Sequence, residues 1–170
     1  MITHMNKEKT YRKIAISLFL GLSLLILIFS VMLLFNVTDY GITIASFGAS
    51  VFMVLSKKKI SYRQIFGSYI IASIIGFIFS KLPISSLFAV ATAVVSSVAV
   101  MTFLETQHTP AIGISIAMVL NKFSFWTDLI VVLSILTILG IAVMLKSFVK
   151  DPKKLLNFVK IETDKINWDF

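Results

Sequence analysis

The amino-acid sequence predicts an all-α membrane protein with six transmembrane segments, arranged as a 3+3 inverted repeat with broken or half-length helices at segments 2 and 5. Three observations lead to this prediction: long uncharged blocks, basic residues confined to alternate connections, and a short motif that occurs twice. Of the 170 residues, 58% are hydrophobic and only 14% are charged. Soluble domains have about 25% charged residues, so the surface of this chain needs lipid to cover it.

The uncharged blocks have the length that a bilayer requires. Residues 14–35, 82–104 and 129–145 carry no charge, and a helix needs roughly 20 apolar residues to cross the hydrocarbon core. A cleaved signal peptide is the alternative for the first block, but this block is too long and is not followed by a small-x-small cleavage site. With shorter apolar stretches included, the predicted segments are 14–35, 41–56, 65–80, 83–104, 109–121 and 129–146.

The basic residues indicate how the segments are oriented. Of the 16 Lys and Arg residues, all but Lys81 and Lys122 lie before the first segment, in the 57–63 loop or from residue 146 onward. Lys and Arg favour the cytoplasmic side, so we expect a multi-pass protein of the cell membrane with both termini in the cytoplasm. The net charge of +8 then reflects orientation and attraction to anionic lipid, and nucleic acid is not an expected partner.

A ten-residue pattern occurs twice. Residues 48–57 and 113–122 both read G-x-S-x-x-M-V-L-x-K, and the same shift places segment 1 on segment 4 and segment 3 on segment 6. Because each unit has an odd number of spans, the second unit starts on the opposite side of the membrane and has the opposite orientation. Such inverted repeats are common in transporters, where the substrate binds near the midplane. The predicted regions are a cytoplasmic N-terminal tail (1–13), a first repeat (14–80), a second repeat (83–146) and a basic cytoplasmic C-terminal tail or interfacial helix (147–170).

Segments 2 and 5 are expected to contain half-length helices that begin near the middle of the bilayer. Residues 47–56 would form the first, after irregular chain over 38–46, and residues 111–121 would form the second. Pro110 suits the first helical turn, where its missing N–H is not needed, and Thr109 is the expected N-cap. Helix N-termini carry unpaired N–H groups and partial positive charge, so two of them that meet in a low-dielectric interior would bind an anion.

His108 is the ionisable residue expected deepest in the membrane, and such residues are functional candidates. Its unperturbed pKa lies near physiological pH, which suggests an anion ligand or a proton-linked gate; a neutral histidine bonded to backbone is the alternative. The glycines and serines suggest close approach and hydrogen bonding to the ligand, with helix packing as their alternative role. The candidate substrate-binding residues are Ser46, Gly48, Ala49, Ser50, Thr106, His108, Thr109, Pro110, Gly113 and Ser115.

Three stretches resemble the HPP family of membrane proteins, which is named for a His-Pro-Pro motif. Residues 106–113 are similar to the family signature T-x-H-P-P-A-A-G, residues 44–52 to its A-S-x-G-A-S-A-F stretch, and residues 63–69 to its R-x-x-x-G-G-H stretch. Thr109 stands where the first motif proline is expected, and Tyr69 stands where a histidine is expected, so no histidine role is carried over to that position. The resemblance implies a compact membrane domain, and because plastid relatives are implicated in nitrite transport, it implies nitrite as the substrate.

These observations predict a transporter or channel for a small monovalent anion bound near the bilayer midplane, and the resemblance implies that the anion is nitrite. The alternative is a structural or assembly membrane protein with no transport activity. An enzyme is not expected, because the chain has no cysteine and its membrane segments offer no second histidine and no paired aspartates. No cofactor and no metal are expected; the expected partners are the anion and the lipid bilayer, with a homo-oligomer left open.

Overall fold

The computed structural model describes residues 2–34, 40–56 and 61–150, and within them it is all-helical. The predicted C-terminal tail or interfacial helix lies outside the described residues from position 151 onward. A 3₁₀ turn, Thr109–Ala111, leads directly into the fifth helix. The helices are α1 (Ile2–Leu34), α2 (Tyr40–Ser56), α3 (Tyr62–Ser80), α4 (Ser86–Phe103), α5 (Ile112–Asn121) and α6 (Phe125–Lys150).

Four of these helices are long and apolar enough to cross a bilayer. Their apolar portions are residues 13–34, 62–80, 86–103 and 125–146, while α2 and the 3₁₀ turn with α5 are apolar but shorter. The prediction of an all-α fold with several apolar membrane helices is therefore confirmed. The side of the membrane on which each connection lies stays a prediction.

Helix α2 differs from what the sequence predicted. It begins at Tyr40 and has 17 residues, about 25 Å at the standard rise. The predicted irregular chain over 38–46 and the half-length helix over 47–56 are therefore wrong where the structure describes them. Because backbone N–H and C=O groups find no water at membrane depth, a continuous helix that pairs them internally is favoured. Helix α5 has 10 residues, and its role as a half-length membrane segment stays a prediction.

The other helix ends follow from local sequence. Ser61 and Ser85 are the N-caps of α3 and α4, and their hydroxyls accept hydrogen bonds from the backbone N–H groups of Gln64 and Phe88, both at 3.4 Å. Such caps satisfy N–H groups that have no partner within the helix. Helix α1 starts at Ile2, so residues 2–13 of the predicted N-terminal tail are helical; their assignment to a separate cytoplasmic region stays a prediction.

The six helices pack as two sets of three. Helices α1, α2 and α6 contact one another, and so do α3, α4 and α5. The two sets join through contacts of α2 with α5 and of α3 with α6. Exchanging α1 with α4, α2 with α5 and α3 with α6 converts one set of contacts into the other. The 3+3 inverted repeat stays a prediction.

The peripheral helices expose more of their surface than the central ones. Fully buried side chains such as Phe47, Tyr69, Ile114 and Leu139 belong to α2, α3, α5 and α6, while α1 contributes Ile28 and Met32. Peripheral helices α1 and α4 expose many large apolar side chains, and Leu87 of α4 is 83% exposed. Because a soluble protein would bury such faces, we assign them to contact with lipid.

Helices α3 and α5 approach closely at Gly76. A Cβ atom there would lie 2.7 Å from both the Cα and the carbonyl oxygen of Ser115, and 3.1 Å from the Cβ of Met118. Carbon atoms normally pack at roughly 3.5–4.0 Å, so the backbone of α5 leaves no room for a side chain at this position. This contact fixes the spacing between the two helices.

Candidate functional site

Four polar residues from three parts of the chain form a buried cluster, which we call the polar cluster: Ser46, Ser50, Tyr69 and His108. Ser50 Oγ lies 2.7 Å from His108 Nε2 and 2.8 Å from the Tyr69 hydroxyl. Ser50 and Tyr69 are fully buried, and His108 is 6% exposed. Buried polar groups are costly unless they are hydrogen-bonded, and this cluster meets that need by bonding its members to one another.

Ser46 connects the polar cluster to the start of α5 through both of its oxygen atoms. Its hydroxyl donates a hydrogen bond to the carbonyl of Pro110 in the 3₁₀ turn. Its carbonyl accepts a bond of 3.2 Å from the Tyr69 hydroxyl, and Ser50 Oγ lies at the same distance. Ser46 therefore joins α2 to α3 and to the 3₁₀ turn.

The chain between α4 and α5 brings His108 to this position. After α4 the chain turns at Glu105, whose φ of 54° is in the left-handed region, and the next residues are non-helical up to the 3₁₀ turn. Pro110 is the second residue of that turn, which agrees with its predicted place in the first helical turn. His108 is the N-cap of the turn, but its side chain makes no capping bond. This leaves the imidazole directed at Ser50 of the neighbouring helix.

Gly113 allows α5 to start against α2. A Cβ at this position would lie 2.7 Å from the Cβ of Ser46 and 3.1 Å from its Oγ. The predicted close approach at this glycine is therefore present, and its neighbour is a serine side chain. Any larger residue would push Ser46 away from Pro110.

An open crevice of about 300 Å³ reaches the polar cluster between α4 and the start of α5. Gln107 partly lines it, and its side-chain amide donates a 3.1 Å hydrogen bond to the Thr102 hydroxyl. The crevice thus combines apolar walls with a few polar groups, as small-ligand sites usually do. Its lining residues are Val98, Met101, Thr102, Gln107, His108, Thr109 and Ile112.

The structure brings only some of the predicted site residues together. Ser46, Ser50, His108, Pro110 and Gly113 meet at the polar cluster through the contacts given above. The other predicted residues of α2 and α5 are directed away from the polar cluster, because neighbouring positions on a helix point in different directions.

Gly48, Ala49 and Ser115 lie elsewhere. Gly48 faces α1, where a Cβ would lie 3.2 Å from Leu25, and Ala49 is exposed. Ser115 packs against Gly76, and its hydroxyl bonds to the carbonyl of Ile112 at 2.8 Å. For Gly48 and Ser115 the observed contacts are those of helix packing.

Two further predictions concern the loop before α5. Thr106 is buried beside Gly67, and its hydroxyl has no hydrogen-bond partner. Thr109 is exposed and lines the crevice. The prediction that it caps the helix is wrong, because His108 and Ala111 occupy the N-cap positions of the 3₁₀ turn and α5. Thr109 is itself the first residue of the 3₁₀ turn, so the N-cap falls on the residue before it, His108.

The predicted meeting of two helix N-termini is also wrong. Helix α5 starts at the polar cluster, but α2 starts at Tyr40, six residues before Ser46, or about 9 Å away at the standard rise. The start of α5 therefore meets the middle of α2. One helix N-terminus, rather than two, adds its partial positive charge to this site.

Tyr69 is the site residue that the sequence analysis missed. The signal was present, since this tyrosine stands at the position where the resembled family has a histidine. The side of α3 on which Tyr69 lies could not be predicted, because the apolar residues of this helix are spread over all of its faces. Contact with Ser50 and Ser46 shows that a polar group at position 69 reaches the same place as His108.

A second group of polar residues lies at the opposite end of α3. Lys81 donates a hydrogen bond to the carbonyl of Phe123 and lies over the ring of Phe77, 5.0 Å from its centroid. Asp128 in the first turn of α6 is 5% exposed, and neither carboxylate oxygen has a hydrogen-bond partner. Across residues 2–34, 40–56 and 61–150, no three His, Asp or Glu side chains lie close enough together to hold a metal ion.

The model of a family described as HPP, transmembrane region, matches residues 6–154, which includes all three stretches on which the resemblance rested. No curated protein and no solved structure gave a significant match.

Proposed function

Since the chain belongs to the HPP transmembrane family, we propose that it is a transporter or channel for a small monovalent anion, with nitrite as the substrate. The anion would bind in the crevice beside His108 and Thr109, at the start of α5. We propose further that the protein lies in the cell membrane with both termini in the cytoplasm, as the distribution of basic residues predicts.

The observation that carries this proposal is the polar cluster at the inner end of an open crevice. Membrane proteins seldom bury ionisable side chains between their helices without a functional reason. Here a histidine lies at the start of a half-length helix, where backbone N–H groups and the helix dipole favour negative charge. The hydroxyl of Thr109 and the amide of Gln107, both on the crevice lining, add hydrogen-bond donors of the kind an oxyanion needs.

The geometry also suggests the depth of the site. Ser50 lies six residues from the end of α2, and Tyr69 seven residues from the start of α3, which is about 9–10 Å along either helix. In the predicted orientation both of these helix ends face the cytoplasm. We therefore place the anion nearer to the cytoplasmic side than the midplane predicted from the sequence.

Nitrite as the substrate rests on the family resemblance alone. The chemistry of the crevice favours a small monovalent oxyanion, and it does not distinguish nitrite from nitrate or formate. A separate recording distinguishes a channel from a carrier, since only a channel would conduct a measurable current in a planar bilayer.

The test is uptake by the purified full-length chain in liposomes. Nitrite, nitrate, formate and chloride are compared at alkaline pH, where nitrite stays ionised, against liposomes without protein. We expect saturable uptake of at least one oxyanion and a loss of roughly tenfold or more in Ser50→Ala. Ser134→Ala is the matched control, because the hydroxyls of both serines bond to the carbonyl four residues earlier. Uptake no higher than in empty liposomes for all four anions would refute the proposal.

An assembly or structural role is the second candidate, and one observation favours it. The members of the polar cluster satisfy one another, and such hydrogen bonds can serve only to hold membrane helices together. In that case Ser50→Ala would lower the stability of the fold, and any variant that still folds would keep its function.

We propose no enzymatic role, although Ser50 and His108 have the spacing of a nucleophile and its base. Ser50 is fully buried in the middle of α2, where the backbone N–H groups bond within the helix. An oxyanion formed there would find no free donors of the kind that acyl transfer requires. Absence of labelling by a fluorophosphonate probe is the expected result, and covalent labelling of Ser50 would contradict it.

A further inference from the structure

We propose that the anion has a second binding site behind Met101, between α4 and α3, where the hydroxyls of Ser97 and Thr106 receive it after it leaves the crevice. This inference rests on the proposed function and specifies the next step of the anion's path. We call these three residues the hydroxyl site. Three observations carry it: two buried hydroxyls without a partner, the turn that ends α4, and the place of Met101 between them.

Ser97 is a fully buried serine of α4, and its hydroxyl has no hydrogen-bond partner among the described residues. Two other hydroxyls of the same helix, those of Thr92 and Thr102, donate to the carbonyl four residues earlier over 2.8 and 2.7 Å. A carbonyl of the preceding turn is the usual partner of a hydroxyl within a helix. Because a buried hydroxyl without a partner is unfavourable, Ser97 holds a donor that is free for a ligand.

The face of α4 that carries Ser97 is turned toward α3 and α5. The four buried residues of this helix follow one another at intervals of four, so they lie on one side of it. On this side Ala93 belongs to a core cluster with Ile75 of α3 and Val119 of α5. Ser97 lies one turn further along, so its side chain also faces the interior of the bundle.

Thr106 reaches the same region because α4 ends in a Schellman motif. The N–H of Thr106 bonds to the carbonyl of Met101 over 2.9 Å. The N–H of Glu105, whose φ of 54° is left-handed, bonds to the carbonyl of Thr102 over 3.2 Å. In this motif the residue at the place of Thr106 often makes an apolar contact with the residue at the place of Met101.

Threonine adds a hydroxyl at this place, and this hydroxyl is also without a hydrogen-bond partner in the described part of the chain. A Cβ at Gly67 of α3 would lie 3.1 Å from the methyl group of Thr106. The second free donor therefore lies beside Met101, at the boundary between α4 and α3.

Met101 separates both hydroxyls from the crevice. It lies one helical turn from Ser97, its carbonyl bonds to Thr106, and its side chain lines the crevice. Methionine has three rotatable bonds and adapts its shape readily, so its side chain can move aside while α4 stays in place. Met101 is then the gate between the crevice and the two hydroxyls.

The chemistry of the hydroxyl site favours an anion. Both hydroxyls lack an acceptor for their protons, and the oxygen atoms of nitrite, nitrate and formate are acceptors. Residues 64–80 of α3, 86–103 of α4 and 112–121 of α5 include no charged residue, and Glu105 of the connecting turn is exposed. Binding by hydroxyls on uncharged helices is weak, which suits a site that an ion must leave again.

The first test separates the hydroxyl site from the crevice by kinetics. Nitrite uptake into liposomes is measured over a range of concentrations for Ser97→Ala, Thr106→Val and the control Thr92→Val, whose hydroxyl bonds within its own helix. In the first two variants the maximal rate should fall roughly tenfold or more, because a hydrogen bond to a charged group is lost. The half-saturating concentration should stay the same, because the crevice is intact, and Thr92→Val should match the wild type in both quantities.

Unfolding of the same preparations by SDS serves as the control for the fold. Since neither hydroxyl has a partner to lose, Ser97→Ala and Thr106→Val should be at least as stable as the wild type. Wild-type maximal rates in both variants would overturn the inference while leaving the proposed transport intact. A fall in the rate with a matching loss of stability would overturn it as well, because the hydroxyls would then be structural.

The second test detects binding without transport. The Met101 methyl signal is followed by NMR of full-length protein labelled with ¹³C-methyl methionine in nanodiscs, and Met101→Leu identifies this signal among the seven methionines. We expect saturating nitrite to shift the signal in the wild type and to shift it less in the double variant Ser97→Ala/Thr106→Val. No shift in the wild type, or an equal shift in the double variant, would overturn the inference. The expected shifts without any uptake by the same protein would keep the hydroxyl site and refute transport.

Discussion

The contact at Gly76 permits a quantitative prediction about the spacing of α3 and α5. In Gly76→Ala the new methyl group would lie 2.7 Å from two backbone atoms of Ser115. Restoring a carbon contact of about 3.5 Å requires a separation of roughly 0.8 Å. Backbone atoms of a helix cannot rotate away as a side chain can, so the two helices must move apart along this contact.

The expected cost is the balance of two terms. Overpacking of this kind typically costs about 1–3 kcal/mol, while alanine gains about 0.5–1 kcal/mol over glycine within a helix. We therefore expect Gly76→Ala to lose up to about 2.5 kcal/mol, with a central value of roughly 1 kcal/mol. Gly140→Ala in α6 is the matched control, because a Cβ there meets nothing within 4 Å and only the gain applies.

Unfolding by SDS in mixed micelles, followed by far-UV circular dichroism, compares the free energies of the two variants. Nitrite uptake by the same preparations shows whether the displaced α5 also disturbs the polar cluster at its start. If Gly76→Ala is as stable as Gly140→Ala, the reasoning is refuted, and the close approach of the two helices is not present in the membrane.

Three further changes test single groups by the same unfolding titration. Thr106→Val removes a buried hydroxyl that has no partner and should stabilise the fold by about 1 kcal/mol; a loss would mean that this hydroxyl has a partner in the membrane. Asp128→Asn removes a buried charge with unpaired oxygens and should also stabilise, by roughly 1 kcal/mol; destabilisation would indicate an ion pair with Lys81. Lys122→Gly relieves a φ of 49° at the end of α5 and should gain up to about 1 kcal/mol, whereas no gain would show that the left-handed conformation costs nothing here.

The number and placement of the helices were predictable from the sequence. Uncharged blocks bounded by basic residues identify helix ends well, because a charge inside the hydrocarbon region costs several kcal/mol. Most of the six segments therefore begin and end within a few residues of the observed helices. Likewise, Pro110 marks the start of the fifth helix, because proline is tolerated in the first turn of a helix but disrupts its interior.

Contacts between helices were predictable only in part. Ser50 and His108 were both identified, but their pairing depends on the return of the chain after Glu105, which no local pattern specifies. The continuity of α2 was missed because glycine and threonine weaken a helix in water, whereas lipid enforces backbone pairing. Tyr69 was missed because α3 is apolar on every side, so periodicity could not show which face it turns inward.

The shortness of α5 has a consequence for how the protein enters the membrane. The 3₁₀ turn and α5 together span 13 residues, Thr109–Asn121, which is too few to cross a hydrocarbon core of about 30 Å. Outside the bundle, the non-helical backbone before it would expose unpaired polar groups to lipid. We therefore expect this segment to leave the insertion machinery only after α2 and α3 have been inserted, because it can then pack against them. Biogenesis would then be cooperative across the two halves of the chain, and a nascent chain stalled after α4 would be a substrate for membrane quality control.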